Sequence, residues 1–106
     1  MKELLKSVEA LSAKELINSY EKFPKFNSPH EGYAVIDEEI DEHGDDTEEI
    51  VNIMFKLWND VKSNNAEMQI IHATKLKEVS IHAAAEAIQV AAMAQKYIDS
   101  LGGESS

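Results

Sequence analysis

Between Ala66 and Ser100 the chain carries neither proline nor glycine. Both residues interrupt helices: proline lacks the amide donor and clashes with the preceding turn, while glycine gives up the most backbone entropy. About a third of the protein is therefore free to form continuous helix. The stretch reads as one long helix, or as two that meet near Lys77 to Ser80. A rod of that length must lay an apolar face against other elements. The expected fold is all-α, an antiparallel helical bundle of four to five helices with a long C-terminal helix. With 106 residues one domain is expected, and a chain this short builds only a modest core unless copies associate.

The remaining elements follow from start and stop signals. Leu4, Leu5, Val8 and Leu11 suit a short amphipathic helix over residues 2–11. Ser12 and Glu15 fit a capping box that starts a second helix. Its apolar face is Leu16, Ile17 and Tyr20, and Pro24 ends it near Phe23. Phe-Pro-Lys-Phe-Asn reads as an extended linker whose Phe23 and Phe26 reach into the core. Ser28-Pro29-His30-Glu31 is a strong helix start, with Ser28 as cap, Pro29 at the first helical position and Glu31 closing the box. That role assigns Glu31 to the cap rather than to a ligand set. The helix so begun is expected to run to His43 and stop at Gly44. Asp45-Asp46-Thr47 reads as a turn, with Thr47 capping a helix over about 48–62. The broad apolar face of that helix is Ile50, Val51, Met54, Leu57, Trp58 and Val61. Ser63-Asn64-Asn65 then breaks the chain. Residues 1–27 are thus N-terminal helices and linker, 28–100 the bundle core, and 101–106 a frayed tail.

Composition excludes several classes of function. Twenty acidic residues against ten basic ones give a net charge of −10, with no basic patch to hold a nucleic-acid polymer. There is no cysteine, hence no disulfide framework and no thiolate metal site. The opening Met-Lys-Glu-Leu-Leu-Lys is too often interrupted by charge for a secretion signal. No apolar run approaches the roughly 20 residues of a membrane span, so a cytoplasmic protein is the default. The acidic loop around Gly44 does not match an EF-hand, because His43 and Ile50 would stand where oxygen ligands are needed. The glycines are isolated or terminal and form no phosphate loop. No serine or cysteine nucleophile is supported.

Carboxylates carry the remaining signal. On a helix from His30 to His43, Glu31, Glu38 and Glu42 share a stripe with Glu39 beside it, opposite Tyr33, Ile36 and Ile40. Like charges at this spacing repel by a few tenths of a kcal/mol per pair. The stripe is tolerable if it faces water, and useful if a divalent cation neutralises it. The second half lies in the alanine-rich stretch from Ile81 to Ile98. There Glu86 shares a stripe with His82, Gln89, Val90, Met93 and Tyr97. A carboxylate among apolar positions needs a partner or a metal; a place at the bundle rim or a bond to His82 would also serve. Two helices that each offer carboxylates to a shared interior recur as divalent-cation sites, and oxygen ligands favour Mg²⁺ or Mn²⁺. His30, His43, His72 and His82 do not follow a zinc pattern and read as surface or core histidines. Trp58 reads as a core residue, with base stacking as the alternative. Lys96 reads as a lysine that suits the last turns of its helix or one that reaches a phosphate.

Glu38-Glu39-Ile40-Asp41-Glu42 matches an EExxE motif. Together with the run from His30 to Glu42 and the later Glu86-Ala-Ile-Gln-Val-Ala-Ala-Met-Ala, it resembles the all-α nucleoside triphosphate pyrophosphohydrolases. These form the MazG-like superfamily, and the similarity is to its small phage-encoded branch. It covers roughly residues 28–43 and 82–98. The resemblance implies a bundle that forms a homodimer or homotetramer. It also implies Mg²⁺-dependent cleavage (with Mn²⁺ as the alternative ion) of a nucleoside triphosphate to monophosphate and pyrophosphate. It implies Glu38 and Glu39 as catalytic carboxylates and Glu39, Glu42, Glu86 and Gln89 as metal ligands; Lys96 and Trp58, on their own readings above, are the candidate substrate contacts. Two departures stand out: Gln89 replaces the aspartate of the family's later ExxD, and the interval from Glu42 to Glu86 is long, as if the helix over 48–62 were inserted. A non-catalytic interaction protein on the same scaffold, or an unrelated acidic bundle that inhibits a nucleic-acid enzyme, are the competing expectations.

Overall fold

Three helices make up nearly all of the computed structural model, which describes residues 1–102: α1 (Lys2–Lys22), α2 (Pro29–Lys62) and α3 (Ala66–Ser100). The all-α expectation holds, but with three helices rather than four to five, because two expected breaks do not occur. Ser12 and Glu15 lie inside an unbroken α1. Gly44 to Thr47 lie inside an unbroken α2, where the Thr47 hydroxyl donates to the Gly44 carbonyl at 2.9 Å instead of capping a new helix. The helix expected over 48–62 is the second half of α2. A lone glycine in a helix costs about 1 kcal/mol, and side-chain packing along the continuous helix offsets it.

That packing is visible in the burial pattern. On α2 the shielded positions include the series Gly32, Ile36, Glu39, His43, Asp46, Ile50, Ile53, Leu57 and Asp60, with Val35 beside it. On α3 one such series is Gln69, His72, Leu76, Val79, Ala83, Glu86, Val90, Met93, Tyr97 and Ser100; toward the C-terminal end, where α1 also packs, further positions are shielded, Ala92 and Lys96 most completely. Both series alternate steps of three and four residues, the repeat that keeps one seam of a helix on a partner over many turns. α2 and α3 therefore form a long antiparallel hairpin. Its tip is the predicted Ser63-Asn64-Asn65 break. Asn64 takes a left-handed backbone (φ 53°), which asparagine tolerates, and the Asn65 side chain caps α3 by accepting from the Met68 amide at 3.1 Å.

The start of α2 is built as expected. The Ser28 hydroxyl accepts from the Glu31 amide at 3.2 Å, and the Glu31 carboxylate accepts from the Asn27 side-chain amide at 3.1 Å. Glu31 is thus engaged at the cap. α1 and the linker after it dock on the C-terminal half of α3 through polar bonds: Tyr20 donates to Asp99 at 2.7 Å, Lys96 Nζ to Ser19 Oγ at 3.0 Å, and the linker's Phe26 amide to Ser100 Oγ at 3.0 Å. Burial and the Asp99 carboxylate push the Tyr20 phenol up to about 12. Phe23 does not enter the core as expected. It is the C-cap of α1 in extended geometry, and its ring is mostly exposed. Phe26 does pack, beside Gly32. Leu101 and Gly102 close α3 as a turn; the rest of the segment expected to fray lies outside the described residues.

The molecule is elongated, 57 × 30 × 20 Å with a radius of gyration of 17.8 Å, where a compact domain of this length has about 13 Å. Its buried apolar residues are Ile53, Val79, Ala83 and Ala92, and among the described residues no large side chain is fully enclosed. No helix among them is long and apolar enough to cross a membrane.

Candidate metal centre

A helical hairpin that folds back at Asn64 brings together residues equally distant from it in sequence. Glu42 and Glu86 each lie twenty-two positions from Asn64, Asp46 and His82 eighteen, and Glu39 and Gln89 twenty-five. This register, rather than any local motif, assembles the site.

Carboxylate oxygens of Glu39, Glu42 and Glu86 lie within 4.8 Å of one another. Glu42 and Glu86 face each other across the hairpin. Glu39 Oε2 and Glu86 Oε2 are shut off from solvent, and no hydrogen-bond partner reaches either one. Buried polar atoms are paired in the great majority of cases, so two orphaned carboxylate oxygens in one cluster need an explanation. Burial, followed by the charges of Glu42, Glu86, Glu38 and Glu15, holds the Glu39 carboxyl above its ordinary range. The neighbouring Glu86 does the same to Glu42. The donor set fits a divalent cation: three hard oxygen donors from two helices, mutually repulsive when empty and partly cut off from water.

Next to this cluster stands a second one. His82 Nδ1 and Asp46 Oδ2 are 2.6 Å apart, and His82 Nε2 is 3.7 Å from Glu86 Oε1. The hydrogen bond to Asp46 and its charge raise the His82 pKa. Asp46, His82 and Glu86 also present donor atoms within 4.8 Å of one another.

Beyond Glu39 a cavity of about 550 Å³ runs along α3 toward its C-terminal end. Its lining includes Glu15, Lys22, Glu39, Gln89, Met93 and Lys96. Small-molecule sites fall in this size range. Lys96 is 2% exposed. Its ammonium donates to Ser19 Oγ and lies 5.0 Å from the Phe26 ring and 5.5 Å from the Tyr20 ring. Burial lowers its pKa, opposed in part by Glu31. Along α3 the cavity wall runs from the neutral Gln89 to the basic Lys96, seven residues or about 10 Å of helix.

The expected residues are accordingly distributed as follows. Glu39, Glu42 and Glu86 converge. Gln89 lines the cavity with Glu39. Glu38 is exposed beside Glu39, close enough for its charge to be felt there. Lys96 forms part of the cavity wall rather than a solvated last-turn cation. Trp58 is remote: it lies sixteen residues from Glu42, about 24 Å along α2. It is also largely exposed rather than core, with the Lys62 ammonium 5.7 Å from its ring. His30 is exposed, His43 sits on the α2 seam, and His72 pairs with the buried Asp60. His82 is exposed as a surface histidine would be, yet it belongs to the cluster.

Sequence reasoning gives no site role to His82 and Asp46 of the second cluster, nor to Glu15 of the cavity wall. The stop expected at Gly44 puts Asp46 in a turn. The signal was its spacing of four from Glu42, which a continuous helix turns into one face. The capping box expected at Ser12 gives Glu15 a structural role, whereas it lines the cavity. Comparison of the chain with protein-family profiles, with curated proteins and with solved structures finds no match in any of the three.

Proposed function

We propose that this protein is a divalent-cation-dependent nucleotide pyrophosphohydrolase of the MazG-like kind, cleaving a ribo- or deoxyribonucleoside triphosphate to the monophosphate and pyrophosphate. One observation carries the reading: Glu39 and Glu42 of α2 meet Glu86 of α3, Glu39 and Glu86 each with a buried unpaired oxygen, and Glu39 also lines a ligand-sized cavity. Glu39, Glu42 and Glu86 hold the cation. A bound Mg²⁺ or Mn²⁺ supplies charge neutralisation to the polyphosphate and Lewis-acid activation at the reacting phosphorus. Glu38 stands at the solvent side of the cluster, where a carboxylate accepts the proton of an attacking water. Lys22 and Lys25 face the cavity and offer countercharge to phosphate oxygens, and Lys96 is held in its wall. Gln89 offers an amide oxygen where the family has a carboxylate, which lowers the charge on that side of the site.

The reading includes self-association. The chain exposes 7776 Å², against about 5,900 Å² for a compact monomer of its mass. Leu4, Leu11, Ile17, Phe55, Ile70 and Ile81 contribute apolar area to that excess. The difference, roughly 1,900 Å² per chain, is in the range of obligate homodimer interfaces. The same surface favours the second reading, a non-catalytic helical interaction protein. Pyrophosphate release separates the two. Incubation with ribo- and deoxyribonucleoside triphosphates and Mg²⁺ or Mn²⁺ releases pyrophosphate if the first holds. No release, together with no cation-induced rise in melting temperature, removes the hydrolase. Gln89→Asp adds a third distinction: a gain in Mg²⁺ affinity and activity identifies a weakened enzyme.

A further inference from the structure

We infer that His82 is a nitrogen ligand of the cation held by Glu39, Glu42 and Glu86, that Asp46 is the residue that positions it, and that the site therefore selects Mn²⁺ and related transition ions over Mg²⁺. The inference rests on the cation site proposed above and deepens it.

The argument starts at Asp46. A carboxylate oxygen accepts, so the short contact between Asp46 Oδ2 and His82 Nδ1 places a proton on Nδ1. That leaves Nε2 as the nitrogen turned toward the cluster, 3.7 Å from Glu86 Oε1. A histidine whose far nitrogen is tied to a carboxylate is the arrangement that orients metal-binding imidazoles and raises their basicity. Asp46 can play this part because its side chain is only 14% exposed and is fixed on the face of α2 that carries Glu39 and Glu42. Glu86 belongs to both clusters, and its Oε2 is sealed from water with no partner. An ion held by the Glu86 carboxylate satisfies that oxygen, and the imidazole stands beside the carboxylate's other oxygen, Oε1. The His82 ring is 63% exposed, so an ion reaches it without a rearrangement of the hairpin.

An imidazole in the donor set changes selectivity. Mg²⁺ keeps oxygen ligands and gives up its water reluctantly. First-row transition ions accept imidazole nitrogen, and their affinity rises along the series from Mn²⁺. The departure at position 89 falls into the same frame: a carboxylate is absent at one side of Glu86, and a nitrogen donor stands at the other.

The test is pulsed electron paramagnetic resonance on the intact protein loaded with Mn²⁺ alone. Nitrogen modulation from a directly bound imidazole is expected in the wild type and absent in His82→Gln, which alters an exposed side chain and leaves the fold intact. Asp46→Asn, with the orienting charge removed, is expected to lose about 10- to 100-fold in Mn²⁺ affinity with Mg²⁺ affinity nearly unchanged. Mn²⁺ bound with no nitrogen coupling overturns the inference and leaves the pyrophosphohydrolase reading standing. Failure of Mn²⁺ to bind at all overturns both.

Discussion

Glu42 and Asp46 stand one turn apart on the same face of α2, because Gly44 between them is helical and not a stop. Through this relationship the acidic motif continues into a second set of donors, Asp46 with His82, and the two sets share Glu86.

Replacing Gly44 with alanine tests the continuity of α2. A Cβ at Gly44 meets nothing within 4 Å, and the residue has no positive φ. The substitution should stabilise the protein by about 1 kcal/mol, the propensity difference in a helix interior. Urea denaturation measures it. A loss of stability would show that the backbone at Gly44 is left-handed and the helix is broken there.

The same substitution at Gly32 should have the opposite sign. A Cβ there would lie 2.5 Å from Tyr97 Cδ2 and 2.9 Å from Phe26 Cδ2. Those rings pack against α2 where it starts, so Gly32→Ala forces them apart at a cost of about 1–3 kcal/mol. Comparison of the two alanine variants in one denaturation series separates propensity from packing.

Neutralising one cluster carboxylate should raise the stability of the cation-free protein while destroying its response to cations. In Glu86→Gln the repulsion with Glu39 and Glu42 is relieved. Cation affinity should fall by at least about tenfold, and pyrophosphate release should fall with it. Calorimetry with and without Mn²⁺ reads both effects. A variant less stable than wild type without the ion, yet still stabilised by it, contradicts the proposed site.

The cation-free protein should become less stable as pH rises from 5 to 8, as far as this cluster is concerned. The folded-state pKa values of Glu39 and Glu42 are raised from 4.5 and that of His82 from 6.5. For a raised pKa the native state binds protons more tightly than the unfolded chain. Its contribution to stability is then complete below the unfolded value and is lost as pH climbs through the folded one. Cation binding has the reverse dependence, since the ligands must be deprotonated. The increment in melting temperature on adding Mn²⁺ should therefore grow over the same range. A cation-free melting temperature that rises from pH 5 to 8, equally in wild type and Glu86→Gln, would mean that these groups do not govern it.

What the sequence determined by itself was whatever depends on a few neighbouring residues. The absence of proline and glycine marked Ala66 to Ser100 as helix, as one rod or two, and the structure makes it the single α3. Ser28 and Pro29 set the start of α2, and the three asparagine and serine residues at 63–65 set the turn. Spacing placed Glu38, Glu39 and Glu42 together and singled out Glu86. Tertiary structure alone decided whether weaker local signals were obeyed. Ser12 with Glu15, and Gly44 with Thr47, are start and stop signals worth about a kcal/mol each. A seam of three-and-four spacing buried against α3 outweighs them. Once those breaks vanish, the antiparallel register about Asn64 pairs Asp46 with His82 and Glu42 with Glu86. No local motif encodes that pairing, because it depends on how two helices lie side by side over six turns.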